Sequence, residues 1–464
     1  TYVPTVTAPP EFLTVGDTYF ERTLFTSGAT YNETVTMVSS PTSMTNYAGN
    51  VITLNGGATL TNQTHTYRIP AIIMAANGDL IAACDARRDS SADLNGAQDI
   101  DIAVRRSSDN GVTWSDMEIM CDLCEGHPAS DPSLVLDQVT GEIFCFYNYM
   151  DRSEREEYRL WVQSSTDHGK TWSIPRDITD DITLPEWKYD FKFMTSGRGY
   201  QTRSGRLIHN IVRVGSGVHL FASDDHGQTW FLLNETPISP ADESKVIELA
   251  DGRLMVNSRV SGSYNARHVH LSSDGGRTWT GYKENQLPDP GCNGAIIRYT
   301  YKDNGYTTDR LLFTNANSTS QRVNLTLRIS YDEGATWSAS KVMDPGASAY
   351  SDLTICQNGS IGILYEPGYS EVRYIGTTLE YLTDGADSLS KPYELPGVYP
   401  PQDLTGLRAE APVALIPFPR DLAWLSENCN ASRVAIESPV ESSLVLDHAV
   451  EELTGTLSNA GAVV

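Results

Sequence analysis

The sequence predicts an all-β fold, a six-bladed β-propeller with extra N-terminal and C-terminal segments. Three observations predict it: an eight-residue pattern occurs five times, the copies are almost evenly spaced, and the runs between them are short, β-rich and bounded by turn signals. The pattern is Ser-x-Asp-x-Gly-x-Thr-Trp, at Ser107 to Trp114, Ser165 to Trp172, Ser223 to Trp230, Ser272 to Trp279 and Ser330 to Trp337. Successive starts lie 58, 58, 49 and 58 residues apart, close to the roughly 40–50 residues of one four-stranded blade. Chemically the pattern is a hairpin turn. The Asp carboxylate can accept backbone N–H groups of the turn, Gly supplies positive φ, and the Trp ring packs beneath.

Between the copies, Arg206 to Arg213 and Arg253 to Arg259 read as strands, and Asn77-Gly78, Asp251-Gly252 and Asn358-Gly359 read as turns. The stretch from about residue 67 to about 380 has room for six blades, the last without a clear copy of the box. The expected organisation is an N-terminal β-rich extension over 1–60, the propeller over 61–385, and a C-terminal tail over 386–464 that packs on it. The tail contains a Pro-rich stretch, Leu395 to Pro401, and a short amphipathic candidate helix, Leu444 to Leu453.

Composition excludes some functions. A formal charge of −25 leaves no basic face for nucleic acid or an anionic membrane. No stretch approaches the roughly 18–20 apolar residues that cross a bilayer, and the first ten residues lack the basic start and apolar core of a leader. Seven cysteines, an odd number, define no disulfide framework. Cys121-x-x-Cys124 followed by His127 could supply metal ligands, but no second pair accompanies it, so the expectation is no metal. Asn-x-Ser/Thr sequons at Asn32, Asn62, Asn234, Asn317, Asn324, Asn358 and Asn430 suit a secreted or cell-surface product.

A propeller serves binding proteins as well as enzymes, so function has to come from a site. Arg68 in Tyr67-Arg68-Ile69-Pro70, Arg259 after Asp251-Gly252, and Arg322 before Val323 fall in different blades. Residues near the inner strands of different blades can still converge at one face of the propeller axis. Tyr67-Arg68-Ile69-Pro70, followed by repeated boxes, resembles the sialidases of bacterial and animal type, in which an Arg-Ile-Pro motif opens the catalytic propeller; the likeness covers roughly residues 65 to 380.

The resemblance implies an exo-α-sialidase, a retaining glycoside hydrolase that releases terminal sialic acid from sialylated glycans through a tyrosyl-enzyme intermediate, without a cofactor. It assigns Arg68, Arg259 and Arg322 to the sugar carboxylate, which the planar guanidinium fork suits. Tyr350 matches the nucleophile, Glu243 its base, Asp93 the acid/base, and Glu366 the carboxylate that orients the first arginine. Arg87 and Asp131 resemble positions near the sugar 4-hydroxyl. Asp89, Asp99 and Asp101 are rivals to Asp93, whereas Glu248, among apolar neighbours, reads as an ordinary strand position. The tyrosine assignment comes from the resemblance and not from spacing.

A phenol suits this reaction because a sialic acid bears its carboxylate on the carbon attacked, and a carboxylate nucleophile would approach against like charge. Two alternatives stay open: transfer of the sugar to another glycan or to its own 7-hydroxyl, and a non-catalytic glycan-binding propeller. Water exclusion by aromatic walls separates hydrolysis from transfer, and Trp187 and Tyr189 are the candidate walls.

Overall fold

A computed structural model describes residues 19–28, 43–45, 51–53, 64–88, 90–94, 98–123, 127–151, 156–369 and 371–397. Asp89, Cys124, Cys429, Leu444 to Leu453 and the sequons at Asn32, Asn62 and Asn430 lie outside the described residues. Six of the seven sheets among the described residues form blades around a central axis, built mainly from antiparallel neighbours in chain order, while Ser43–Thr45 and Val51–Thr53 pair as a separate ribbon. Blade 1 consists of Thr66–Met74, Leu80–Arg87, Ile100–Ser107 and Glu118–Cys121, counted outward from the axis. Blade 4 (Ser244–Glu248, Leu254–Ser258, Ala266–Ser272, Thr280–Pro288) and blade 5 (Ala295–Thr300, Arg310–Ala316, Val323–Ser330, Ala339–Ala347) repeat it.

Blades 2 and 3 depart from the pattern where they meet. Blade 2 (Ala129–Leu136, Ile143–Asp151, Glu157–Ser165, Arg176–Asp177) gains Gly197–Arg198 as a parallel neighbour of its inner strand. In blade 3 the inner position is split between Lys192–Met194 and Tyr200–Gln201, both paired with Leu207–Arg213. Blade 6 (Ser351–Ile355, Ile361–Tyr365, Glu371–Thr377) receives its outer strand, Tyr19–Thr26, from before blade 1. The chain's early strand thus closes the ring by completing the last blade through antiparallel hydrogen bonds.

This closure explains the missing sixth box. All five boxes are hairpins between the third and outer strands, and blade 6 has no such hairpin because its outer strand arrives from elsewhere in the chain. The hairpin chemistry is uniform. In the first copy the Asp109 carboxylate accepts Thr113 N at 2.8 Å and Thr113 Oγ1 at 2.6 Å, and Ser107 Oγ accepts Gly111 N at 2.9 Å. The same contacts recur at Asp167, Asp225, Asp274 and Asp332. Despite some burial, the donated hydrogen bonds hold these four carboxyls below their ordinary pKa.

The box glycine has a second task beyond the turn. A Cβ on Gly227 would lie 2.2 Å from Phe144 of blade 2, and one on Gly169 would lie 2.5 Å from Ile81 of blade 1. Each of these turns presses on the preceding blade, where apolar clusters such as Phe144, Phe146, Phe221 and Trp230 fill the space between sheets. Leu389, Tyr393 and Leu395, which follow blade 6, pack against three of these clusters.

The alternation of strand direction decides where chemistry can gather. Inner strands begin, second strands end and third strands begin at one end of the propeller, as the pairing of Thr66 with Arg87 and of Arg87 with Ile100 requires. The boxes all lie at the other end. Gly227→Ala, with φ at +79° and no space for a methyl group, is expected to cost about 1–3 kcal/mol of stability. A thermal melt checks this, and an unchanged Tm would mean that the contact between blades 2 and 3 yields freely.

Candidate active site

The residues matched to the arginine clamp, the nucleophile, its base and the acid/base sit at the box-free end. Arg68 lies in the first inner strand, Arg87 ends the second strand, and Asp93 stands in the loop to the third. Asp131 is in the inner strand of blade 2, Glu243 precedes that of blade 4, and Arg259 follows the second strand there. Arg322 precedes the third strand of blade 5, while Tyr350 and Glu366 flank the first two strands of blade 6.

Two inner strands carry the same device. Ile69 has φ 64° and Asp131 φ 61°, each is followed by proline, and the register slips at both places. Positive φ is rare for a β-branched residue, and proline withdraws one ladder donor, so each position is a bulge that re-aims its neighbours toward the axis. The Arg68 bulge is held by Glu366, whose Oε1 accepts Arg68 Nε at 2.8 Å and Ile69 N at 2.6 Å. Its Oε2 accepts Tyr350 N at 3.3 Å. Glu366 is fully buried. Burial opposes the charge on Arg68, but Glu366 outweighs it and raises the guanidinium pKa.

Across the cleft the Tyr350 hydroxyl donates to Glu243 Oε2 at 2.9 Å and accepts from Arg259 Nη1 at 3.0 Å. Arg259 also donates a short bond to Glu243. Desolvation and the Glu243 carboxylate both push the Tyr350 phenol well above its usual range, so it rests neutral. Arg322 lies over the Tyr350 ring at 5.5 Å and Arg68 at 6.0 Å. Three guanidinium groups therefore surround one phenol.

Arg87 is buried and joins two carboxylates. It donates to Asp85 Oδ2 at 3.1 and 3.0 Å, and its Nη1 reaches Asp93 Oδ1 at 2.8 Å. The Asp93 side chain is 82% exposed and lines the cleft despite its bond to Arg87. Asp131 takes a hydrogen bond from Asn148 at 3.1 Å, and burial beside Asp85 raises its pKa. Of the rivals to Asp93, Asp101 is buried against Arg88 at 2.6 Å; Glu248, near Glu243 in sequence, ends a strand and accepts Arg203 N at 2.6 Å. Neither lines the cleft.

The cleft measures about 590 Å³ and is lined by Arg68, Asp93, Asp131, Glu243, Arg259, Arg322 and Tyr350 together with Tyr158, Phe191, Phe193 and Tyr369. The aromatic walls differ from those expected. Trp187 is buried against His219 with ring centroids 4.3 Å apart, and neither it nor Tyr189 lines the cleft. Tyr158 and Phe191 stack there instead, at 4.5 Å. The reason is Lys192, which turns inward and donates to the carbonyls of Trp187 and Lys188 at 2.9 and 3.0 Å, so that Phe191 and Phe193 face the cleft.

Beneath the floor lies a polar group that the sequence did not disclose. Lys245 and Asp352 follow Glu243 and Tyr350 by two residues, and hence point along the same strand face. Lys245 Nζ donates to Asn293 Oδ1 at 2.9 Å, and Asp352 Oδ2 accepts Ile72 N at 2.9 Å. Burial lowers the Lys245 ammonium to about 8, against the opposing pull of Asp352. Among the described residues no group of three or more His, Cys, Asp or Glu is arranged to hold a metal; Cys121 is buried beside Tyr147 at 3.5 Å.

A six-bladed ring whose mouth sets three guanidinium groups around a carboxylate-bonded phenol defines a propeller with a compact cationic site at one end. A family model described as a BNR repeat-like domain matches residues 78–363. The chain is 37% identical over 360 residues to a sialidase of Micromonospora viridifaciens, covering 72% of this chain and 54% of that one. It is 30% identical over 344 residues to a sialidase of Bacteroides fragilis, covering 68% and 62%. Among solved structures, Hadza microbial sialidase Hz136 superposes with a TM-score of 0.61 at 31% identity, covering 69% of this chain and 67% of the other. The chain belongs to the sialidase family, and it spans about half to three fifths of the length of the first two relatives. No helix among the described residues is long and apolar enough to cross a membrane.

Glu366→Gln keeps the shape but removes the charge that orients Arg68. The expected cost is about 1–3 kcal/mol of stability, read by chemical denaturation, because a charge-assisted bond is lost. No loss would mean that Arg68 is held by other contacts.

Proposed function

We propose that the protein is an exo-α-sialidase, a retaining glycoside hydrolase that releases terminal sialic acid from sialylated glycans outside the cell. The reading rests on one observation above the rest: the Tyr350 hydroxyl lies 2.9 Å from Glu243 and 3.0 Å from Arg259, with Arg68 and Arg322 flanking its ring. A binding protein has no need to set a proton acceptor against a phenol inside an arginine cluster.

In this reading Arg68, Arg259 and Arg322 grip the sugar carboxylate, and the anomeric carbon comes to rest over the Tyr350 oxygen. About 0.1% of an unperturbed phenol is ionised at pH 7, and here burial lowers that fraction further. The anionic sugar therefore meets a neutral group. As the tyrosyl C–O bond forms, the phenolic proton passes to Glu243, and Asp93 gives a proton to the departing glycan oxygen. The oxocarbenium-like transition state gains positive charge, which the Tyr350–Glu243 pair stabilises. Water then attacks the same carbon while Asp93 takes its proton, and Tyr350 recovers its own from Glu243. Two inversions give net retention.

Asp131 lines the cleft, and buried Arg87 reaches it through Asp93; in this reading the two lie toward the sugar 4-hydroxyl. No step calls on a metal or organic cofactor. Global charge of −25 repels the substrate at long range, so capture depends on the local field of the arginines.

Tyr350→Phe is expected to fold normally and to lose turnover of an aryl α-sialoside by about 10³-fold or more. Arg68→Lys should raise KM by about tenfold or more, since an ammonium cannot reproduce the bidentate fork. Full activity of the phenylalanine variant would remove Tyr350 from the mechanism. NMR of the wild-type product should show free sialic acid released first as the α-anomer; a transferred or anhydro sugar would redirect the reading to transfer.

A further inference from the structure

Two of the three arginines in the cleft have a carboxylate to orient them, Glu366 for Arg68 and Glu243 for Arg259. Arg322 does not: among the described residues its polar contacts are Tyr369 Oη at 3.3 Å from Nη1 and Gly291 O at 3.5 Å from Nη2. The same Tyr369 ring lies under the Arg68 guanidinium, 4.4 Å from its centroid. One side chain thus touches two members of the cluster, by its face and by its hydroxyl.

The placement of Tyr369 is fixed from behind. Its carbonyl accepts Thr66 Oγ1 at 3.3 Å and Ser27 Oγ at 3.4 Å, which ties the loop to blade 1 and to the residue after the closing strand Tyr19–Thr26. Gly368, at φ +75°, turns the chain just before it. Tyr369 is 55% exposed and lines the cleft. An exposed tyrosine so anchored has no part in filling a core.

We propose that Tyr369 is a positioning residue for substrate capture: its ring and hydroxyl set the spacing of Arg68 and Arg322 so that both can bind one carboxylate. A neutral partner is what this place requires. A carboxylate there would neutralise Arg322 and compete with the substrate, whereas a phenol orients the guanidinium and leaves its charge available. The inference rests on the sialidase reading above, because it presumes a carboxylate ligand.

The test compares wild type, Tyr369→Phe, Tyr369→Leu and Tyr369→Ala, with two probes: an aryl α-sialoside for kcat and KM, and the unsaturated glycal of sialic acid, which has the carboxylate but no leaving group, for Ki. Tyr369→Ala should raise KM and Ki together by about tenfold, with kcat within about threefold and an unchanged thermal melt. Tyr369→Phe keeps the ring over Arg68 and should fall between, at about threefold in both constants. Tyr369→Leu should follow the alanine variant, and it decides the matter if the alanine variant fails to fold. Unchanged constants, a loss confined to kcat, or a rise in KM with an unchanged Ki would overturn the proposal, the last by assigning Tyr369 to the leaving group. Wild-type protein that neither cleaves the sialoside nor binds the glycal would instead sink the sialidase reading, and this inference with it.

Discussion

Guanidinium groups brought side by side repel one another, and the site depends on how that repulsion is managed. At an effective dielectric of about 20, two like charges about 6 Å apart oppose each other by roughly 3 kcal/mol. Arg68, Arg259 and Arg322 all approach the Tyr350 ring or hydroxyl. The cost is offset by the carboxylates that pair with two of them, buried Glu366 with Arg68 and nearly buried Glu243 with Arg259, while the Tyr369 hydroxyl bonds Arg322. These partners fix each guanidinium while leaving donor edges for a ligand. The acidity of the whole chain thus coexists with a compact positive site.

The propeller supplies this arrangement because strand direction alternates within each blade. Inner-strand starts and second-strand ends share one end, so six blades offer many positions around a single mouth. The bulges at Ile69 and Asp131 then adjust aim locally, and the Lys245 and Asp352 side chains beneath make the floor polar as well. At the opposite end the boxes lock hairpins and press glycines against neighbouring blades, which keeps the ring rigid without touching the chemistry. Separation of these two tasks lets the boxes repeat while the mouth varies.

Much of this was legible in the sequence, for identifiable reasons. A turn that needs Ser, Asp, Gly, Thr and Trp at fixed offsets leaves a repeat, and five repeats gave five hairpins. The sixth blade left none because hydrogen bonds, not a covalent turn, join Glu371–Thr377 to Tyr19–Thr26. Site residues such as Arg68 and Tyr350 were reached through their motifs and the family resemblance, and the structure gathers them at one mouth. The aromatic walls were missed because residue type does not reveal direction: in Phe191-Lys192-Phe193 the lysine is buried and Phe191 is 46% exposed, the reverse of the ordinary pattern. Tyr369 was missed for a related reason, since one of 23 tyrosines, placed in a turn, carries no signal until its neighbours are known.

The claim that Tyr350 forms a covalent bond to the sugar is the one on which the mechanism stands. A sialic acid with fluorine at carbons 2 and 3 tests it directly: the first fluoride leaves as the tyrosyl bond forms, and the second slows hydrolysis by destabilising positive charge at the reaction centre. Mass spectrometry of the proteolysed adduct should find the fluorosugar on the peptide containing Tyr350. A label on Glu243 or Asp93, or rapid turnover with no adduct and an inverted product, would contradict the account.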